Sequence, residues 1–290
     1  MEAKALLVSN RRKRPHGFTE DAALSRRAHA FHNCFTASGS LSCAFRTRGR
    51  FQTHTRRSQK LGRRLLQEEV RNMKLISVNC GLPREVEWHS RTVTTGIFKE
   101  PVGGRVALRK LNLNGDGQAD LTVHGGEAKA VYCYPLAHYE YWKSELPGRD
   151  LPMGMFGENF TTEGLSESSV CLGDRFSIGS AEVVVTQPRL PCYKLGIRFQ
   201  SDEMVKRFLA SGRTGFYVAV TREGDVAAGD AIVSIERDPN SVPVSEVTRL
   251  YVTKRFTEED LDSMKRMLRI AALPDNWKNY FEERLQGLKG

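Results

Sequence analysis

Apolar and polar residues alternate in short runs through most of the chain between residues 73 and 237, as is typical of β-strands. The first run, MKLISVNC, begins at Met73, and later ones are GRVALRKL, DRFSIGSAEVVVT, GFYVAV and DAIVSIE. Gly, Asp and Asn separate these runs, and these residues favour turns. The pattern therefore predicts a mainly β domain, a barrel or a sandwich, over residues 73–238.

Two features of this region predict how its strands begin and connect. Gly179-Ser180 separates RFSI from AEVVV, which predicts a tight hairpin. The sequence VCLGD at residues 170–174 recurs as VAAGD at residues 226–230. We expect two similar strand beginnings in one barrel rather than a repeat array.

Helical spacing interrupts the strands in two segments. YPLAHYEYWKSEL places Leu136, Tyr139 and Trp142 on one face, and SDEMVKRFLASG ends at Gly212, a residue suited to close a helix. Apolar stripes at this spacing are typical of faces that pack on a core. We interpret both segments as packing helices.

After RDPNSVP the pattern changes to amphipathic helices over residues 244–288. Three segments, VSEVTRLYV, TEEDLDSMKRMLRIAAL and DNWKNYFEERLQGL, predict a small three-helix domain, and Thr257 is placed to cap the second helix. None of these residues has the spacing of metal ligands or of acid–base pairs. We interpret this domain as a packing or docking element where a redox protein could bind.

Charge is unevenly distributed along the 290 residues. Residues 1–72 carry 16 Lys and Arg against 5 Asp and Glu, whereas the remaining residues carry 28 against 29. The first segment has no acidic residue from Ala22 to Gln67 and no sustained apolar period, so we predict a disordered basic extension. The nearly balanced remainder has no footprint for a polyanion, so a nucleic-acid partner is not expected there.

Three explanations of residues 1–72 remain open. The first, which we favour, is a mis-assigned start, with the natural protein beginning at Met73. The second is an organellar transit peptide, although Glu2, Glu20 and Asp21 fit that class poorly. The third is a tail that binds nucleic acid.

Neither a membrane span nor a cysteine framework is predicted. No run approaches the roughly 20 apolar residues needed to cross a bilayer, so we expect a cytoplasmic protein, or an organellar one if the extension is a transit peptide. The six cysteines, at positions 34, 43, 80, 133, 171 and 192, include no C-x-x-C pair. The cysteine spacing therefore matches neither a zinc ribbon nor a ferredoxin-type iron–sulfur cluster, and a disulfide framework is not expected.

Residues suited to chemistry concentrate in TVHGGEAKAVYCYP, FGENFTTEGL and QPRLPCYKL. His124 precedes Gly125 and Gly126, whose backbone can approach a ligand or donate amide hydrogens to an anion. Glu158-Asn159 can present a carboxylate and an amide to a cleft. The alternative for each pattern alone is a simple turn, with His124 as a cap.

Cys192 has the most distinctive setting of the cysteines. Arg189 and Lys194 favour a thiolate, and the flanking prolines restrict the backbone that directs it. A thiolate is a soft metal ligand and a nucleophile, and hydrolysis with His124 as base is possible in principle. The alternative is that Cys192, like the other five cysteines, is a small buried hydrophobe.

Taken in order and followed by three helices, the stretches VHGG…AV…Y, FGEN…T.EGL and QPR.PC.KL resemble the MOSC family, the molybdenum cofactor sulfurase C-terminal domain. The resemblance is to its bacterial YiiM-type branch and extends from Met73 to Leu288. It implies a MOSC-type β-barrel that binds a mononuclear molybdenum–pterin cofactor. The motif cysteine, Cys192 in this sequence, would be the protein ligand to molybdenum.

The resemblance also implies an activity, the detoxifying reduction of N-hydroxylated small molecules such as hydroxylaminopurine base analogues. His124 and Glu158 would manage protons, and Asn159 would orient the cofactor. Cations and amide groups would bind the pterin phosphate; the candidates are Gly125, Gly126, Lys129, Arg189 and Lys194.

An electron source is needed for such a reduction, and the sequence has no flavin or iron–sulfur signature. We therefore expect a separate electron-donor redox protein. A different class of function also stays open, in which Cys192 carries a persulfide and the domain is a sulfur or cofactor carrier.

Overall fold

The structure is a computed structural model that describes residues 73–119 and 125–287. The predicted extension, residues 1–72, lies outside the described residues, so the three explanations of it remain predictions. The helices are α1 (Ala137–Glu145), α2 (Tyr193–Phe199), α3 (Glu203–Ala210), α4 (Val244–Val252), α5 (Glu258–Met267) and α6 (Asp275–Gly287), with a 3-10 turn at Glu127–Lys129. No helix in this part of the chain is both long enough and apolar enough to cross a membrane.

The strands follow the predicted alternating runs and add others between them. They are β1 (Lys74–Cys80), β2 (Arg84–Trp88), β3 (Arg91–Thr95), β4 (Glu100–Pro101), β5 (Val106–Leu108), β6 (Val131–Pro135), β7 (Phe160–Glu163), β8 (Arg175–Ile178), β9 (Ala181–Pro188), β10 (Phe216–Arg222), β11 (Gly224–Val226) and β12 (Ile232–Glu236). β2 pairs with β3, and β5 pairs with β11, outside the main sheet. The mainly β fold is confirmed.

The main sheet has eight strands in the order β12-β8-β9-β10-β6-β7-β1-β4. Its pairs are antiparallel except for β6 and β7, which are parallel. The sheet curls until the start of β1 meets the segment entering β12, where Leu75 N donates to Asp230 O at 2.9 Å and Ile232 N donates to Met73 O at 2.9 Å. This contact is an isolated bridge, so the ladder does not run continuously around a closed barrel.

The predicted strand connections are present. Gly179-Ser180 forms the two-residue loop between β8 and β9, where Ile178 pairs with Ala181. The two V-x-x-G-D sequences form the same turn. The carboxylate of Asp174 accepts from Cys171 N at 3.0 Å, and that of Asp230 accepts from Ala227 N at 2.9 Å. These turns lead into β8 and β12, which are neighbours in the sheet.

One hydrophobic cluster joins the sheet to the C-terminal helices. The helices contribute buried apolar residues that pack against residues of β1, β9 and β10; among them are Val247, Leu250, Met264, Trp277 and Phe281. Thr257 begins α5 through a capping box with Asp260, as its position predicts. The three helices therefore share a core with the sheet.

A second cluster holds α1, α2 and α3 and is rich in aromatic rings. Trp142, Phe156 and Phe208 are fully buried in it, and the indole of Trp142 donates to the Tyr134 hydroxyl at 2.8 Å. Truncating a buried aromatic side chain costs about 3–5 kcal/mol, so this cluster stabilises the packing of the three helices. It fixes the position of α2, which follows Cys192 directly.

The sequence pattern does not predict α2. Its residues Leu195, Ile197 and Phe199 alternate with Gly196 and Arg198, which is the period of a strand. In the structure all three apolar residues are buried, and so is Gly196. A short helix buried on several sides shows no amphipathic period, because its polar face is missing.

Candidate active site around Cys192

Cys192 lies at the end of the loop that joins β9 to α2, where it is the N-cap residue of the helix. Cys80, Cys133 and Cys171 are buried, and burial raises the pKa of the Cys80 thiol to about 11. Cys192 is half-buried. Among the described cysteines it is therefore the thiol that a ligand can reach.

Two cavities meet at Cys192. The first has a volume of about 90 Å³, and its wall includes Lys99, Asp116, Asn159, Arg189 and Lys194. The second has a volume of about 350 Å³ and is bounded by β9, the loop before Cys192 and the C-terminal helices. Lys129, Cys192 and Tyr217 line both.

The first cavity is rich in cations. Arg189 and Lys194 are buried, at 5% and 8% exposure. Arg189 forms no ion pair with a carboxylate in the described part of the chain, and its buried Nη1 has no hydrogen-bond partner there. Its guanidinium lies 5.3 Å from the Tyr132 ring and 5.1 Å from the Phe208 ring. A buried charge without a counter-ion is costly, so this geometry favours an anionic ligand.

A backbone hydrogen bond between the end of β9 and the start of β10 holds Arg189 at the cavity. Its N–H donates to Gly215 O at 3.1 Å. Gly215 has a φ of +71°, and a Cβ there would collide with the carbonyl oxygen of Cys133. Only glycine allows this close approach without strain.

A polar network lies beside these cations. Asn159 accepts from Tyr132 N at 3.1 Å and donates to an Asp116 oxygen at 2.9 Å. Asp116 also forms a buried ion pair with Lys99. Asn159 is among the residues predicted from the sequence, whereas Lys99 and Asp116 are not. The NGDG turn at residues 114–117, close before His124, was the signal that could have indicated Asp116.

We expect the Asp116→Asn variant to lose about 3–5 kcal/mol of unfolding free energy, because Lys99 would keep a buried charge without its counter-ion. Urea unfolding measures this change. The matched control is Glu223→Gln, which removes an exposed ion pair with Arg109 at 3.8 Å and should cost at most about 1 kcal/mol. Equal losses in the two variants would show that the buried pair does not stabilise the site.

The structure places Glu158 away from both cavities. Its fully buried carboxylate accepts from Gly154 N at 2.8 Å, Phe156 N at 3.1 Å and Thr161 Oγ1 at 3.0 Å, and from the Tyr139 hydroxyl. Burial raises the pKa of Glu158, while the hydrogen bond from Tyr139 opposes that shift. The geometry makes Glu158 a residue that holds the loop beneath Asn159.

The glycine motif has a mixed outcome. His124 lies outside the described residues, so its role remains a prediction. Gly126 has a φ of +94°, and its carbonyl accepts from Lys129 N at 2.9 Å in the 3-10 turn. Neither Gly125 nor Gly126 is part of the wall of the two cavities, whereas Lys129 lines both.

The second cavity brings the C-terminal helices to Cys192. Tyr251 of α4 and Trp277 and Tyr280 of α6 form part of its wall, with ring centroids 5.2 to 6.2 Å apart. Trp277 Nε1 donates to Gln187 Oε1 at 2.7 Å, and Gln187 Nε2 donates to Ala128 O at 3.2 Å. The three-helix segment, which the sequence predicts as a packing or docking element, therefore also forms part of the wall of a cavity at Cys192, and its docking of a redox protein stays a prediction.

The residues around Cys192 fit a cofactor that combines a soft metal with an anionic group. The half-buried thiol can bind the metal, and the unsatisfied Arg189 Nη1 lies in the same cavity. Burial lowers the pKa of Lys129, and the proximity of Cys192 opposes that shift. Arg189 and the thiol of Cys192 can therefore hold an anion and a soft metal side by side.

Comparison with known proteins gives matches along most of the described chain. Residues 120–233 match the MOSC domain, and residues 242–288 match the YiiM-like 3-alpha helix domain. YflK of Bacillus subtilis (strain 168), an uncharacterized protein, is 40% identical over 207 residues, which are 71% of this chain and 92% of YflK. A protein of Gibberella moniliformis (strain M3125 / FGSC 7600) named "Reductase" is 35% identical over 161 residues, 54% of this chain and 28% of that protein.

A solved structure gives the same result for the fold. The crystal structure of YiiM from Geobacillus stearothermophilus is 35% identical and superimposes with a TM-score of 0.61, covering 73% of this chain and 99% of that one. The resemblance seen in the sequence motifs is confirmed. The chain belongs to the MOSC domain family, in the branch whose members carry a YiiM-like three-helix domain.

Proposed function

We propose that this protein is a molybdenum-cofactor-dependent reductase of N-hydroxylated compounds such as hydroxylaminopurine base analogues, and that it detoxifies them. The observation that carries the proposal is the reachable thiol of Cys192 in one cavity with the buried guanidinium of Arg189, whose Nη1 has no hydrogen-bond partner in the described part of the chain. The MOSC family match and the relative named "Reductase" support it.

Within the proposal, Cys192 provides the thiolate that binds the metal. Arg189, Lys194 and Lys129 bind the phosphate of the pterin, since three cations converge on one cavity wall. Asn159 orients the cofactor, and its position is held by Tyr132 N and Asp116. When bound, the cofactor supplies two-electron chemistry that removes oxygen from an N–OH group.

Protons must also reach the reaction, because reduction of an N–OH group to N–H and water consumes two electrons and two protons. His124, close in sequence to Lys129, is the candidate proton donor in this proposal. We propose that a separate redox protein supplies the electrons.

The test is to purify the full chain from a host that makes the molybdenum cofactor and from one that does not. We expect near-stoichiometric molybdenum and pterin in the first preparation only. That preparation should convert 6-hydroxylaminopurine to adenine with reduced methyl viologen as donor. A protein purified without molybdenum or pterin from the competent host, and inactive with this substrate, would contradict the proposal.

The alternative is a carrier that holds sulfur as a persulfide on Cys192. Arg189 and Lys194 line the same cavity as the half-buried thiol of Cys192, and these cations would also stabilise a persulfide anion there. This observation supports the carrier function as the alternative. Cyanide should then release labile sulfur from the wild type and not from a Cys192 variant. Molybdenum content distinguishes the two functions.

A further inference from the structure

The second cavity differs in chemistry from the cationic first one. Its wall includes the rings of Tyr217, Tyr251, Trp277 and Tyr280, and within the described part of the chain it has no carboxylate and one cation, Lys129. Its volume of about 350 Å³ falls in the range of about 300–1,000 Å³ that is typical of small-molecule sites. This wall suits a flat, uncharged ligand.

The aromatic rings are held in place before any ligand binds. The indole of Trp277 donates to Gln187 Oε1 at 2.7 Å, and the hydroxyl of Tyr280 donates to Tyr251 O at 3.1 Å. Trp277 is also packed in the cluster shared with the sheet. Rings fixed in this way lose little conformational freedom when a ligand stacks on them.

The side-chain amide of Asn276 is available on the wall to recognise a ring edge. Both polar atoms of Gln187 are engaged, by Trp277 and by Ala128. The side chain of Asn276 makes no hydrogen bond to the part of the chain that the structure describes, and an amide can donate and accept at once. Ring nitrogens and exocyclic amino groups of a heteroaromatic base present that pair of partners.

We propose that this cavity binds the substrate, so that α4 and α6 form a specificity element that selects flat, uncharged heteroaromatic N-hydroxylated compounds over aliphatic ones. The inference rests on the proposed function and deepens it. Because Cys192 lines both cavities, a base stacked on the aromatic wall lies next to the position where the cofactor would bind.

Tyr280 gives the sharpest test, because it is only partly buried and its replacement should not unfold the protein. In holoprotein, Tyr280→Leu should raise KM for 6-hydroxylaminopurine about tenfold or more, since base–aromatic stacking is worth that much. KM for N-hydroxyurea and the molybdenum content should stay unchanged. Tyr280→Phe keeps the ring and loses only the hydrogen bond to Tyr251 O, so it should raise this KM much less than Tyr280→Leu does.

The matched control is Tyr193→Leu. Tyr193 is 53% exposed, follows Cys192 directly and is not part of the second cavity wall, so both KM values should be unchanged. An equal rise of both KM values in Tyr280→Leu, or no rise in either, would overturn the inference.

A binding measurement separates this inference from the proposed function. Calorimetric titration with adenine needs no turnover, and we expect adenine to bind the wild type and to bind Tyr280→Leu about tenfold more weakly. If this holds in a protein that does not reduce 6-hydroxylaminopurine, the proposed function fails and the aromatic site remains. If the protein reduces that compound but Tyr280→Leu binds adenine as the wild type does, the inference about α4 and α6 fails.

Discussion

Replacing Cys192 with serine is expected to remove molybdenum and to lower reductase activity at least about 100-fold while the fold is kept. A serine hydroxyl stays protonated and is a poor ligand for a soft metal. Loss of an outer partner of a metal ligand typically costs about 10–100-fold, so loss of the ligand itself should exceed that range. Cys192 is half-buried and outside the hydrophobic clusters, so serine should not disturb packing.

Metal analysis and assay with reduced methyl viologen measure the effect, and the matched control is Cys171→Ser. Cys171 is buried, and its sulfur lies 3.7 Å from the Ser241 hydroxyl, so a serine there has a partner. We expect this control to keep molybdenum and activity. Full molybdenum content in Cys192→Ser would show that the thiol is not the metal ligand.

Arg189→Met should give the second large effect, a loss of cofactor without a loss of stability. A hydrogen bond to a charged group contributes about 1.5–3 kcal/mol, which corresponds to about 10–150-fold weaker cofactor retention. Methionine fills similar space and keeps apolar contact with Tyr132 and Phe208. The cofactor-free variant should be at least as stable as the wild type, because a buried cation without a carboxylate partner is removed.

Two measurements check this prediction, the molybdenum and pterin content after dialysis and the Tm of protein from a cofactor-deficient host. The control is Arg222→Met, which removes an exposed arginine paired with Glu182 at 3.0 Å and should change neither value. A lower Tm for cofactor-free Arg189→Met together with unchanged cofactor retention would assign Arg189 to structure instead of cofactor binding.

Much of the fold follows from local pattern. Alternation predicted β1, β8, β9, β10 and β12, and the two V-x-x-G-D sequences predicted equivalent turns, because an aspartate that accepts from the amide three residues earlier is a local interaction. The C-terminal helices were readable for the same reason, since each has one buried and one solvated face. Helix α2 was missed because it is buried on several sides.

Local sequence also determined which residue types gather around the thiol. Arg189, Cys192 and Lys194 are neighbours in the chain, so their chemistry could be read together, and the motif that contains them identified the family. Glu158 shows the limit of such a reading. Its motif predicted a group facing a cleft, but loop amides and the Tyr139 hydroxyl occupy its carboxylate.

Only the tertiary structure decided what else surrounds Cys192. Lys99 and Asp116 reach the cationic cavity, and Trp277 and Tyr280 reach the aromatic one, from segments far away in the sequence. In the sequence Trp277 is one apolar position of an amphipathic helix. The local sequence does not distinguish an aromatic ring that packs in the core from one that lines a cavity. That distinction depends on the docking of α6 against β9, where Gln187 accepts the indole hydrogen of Trp277.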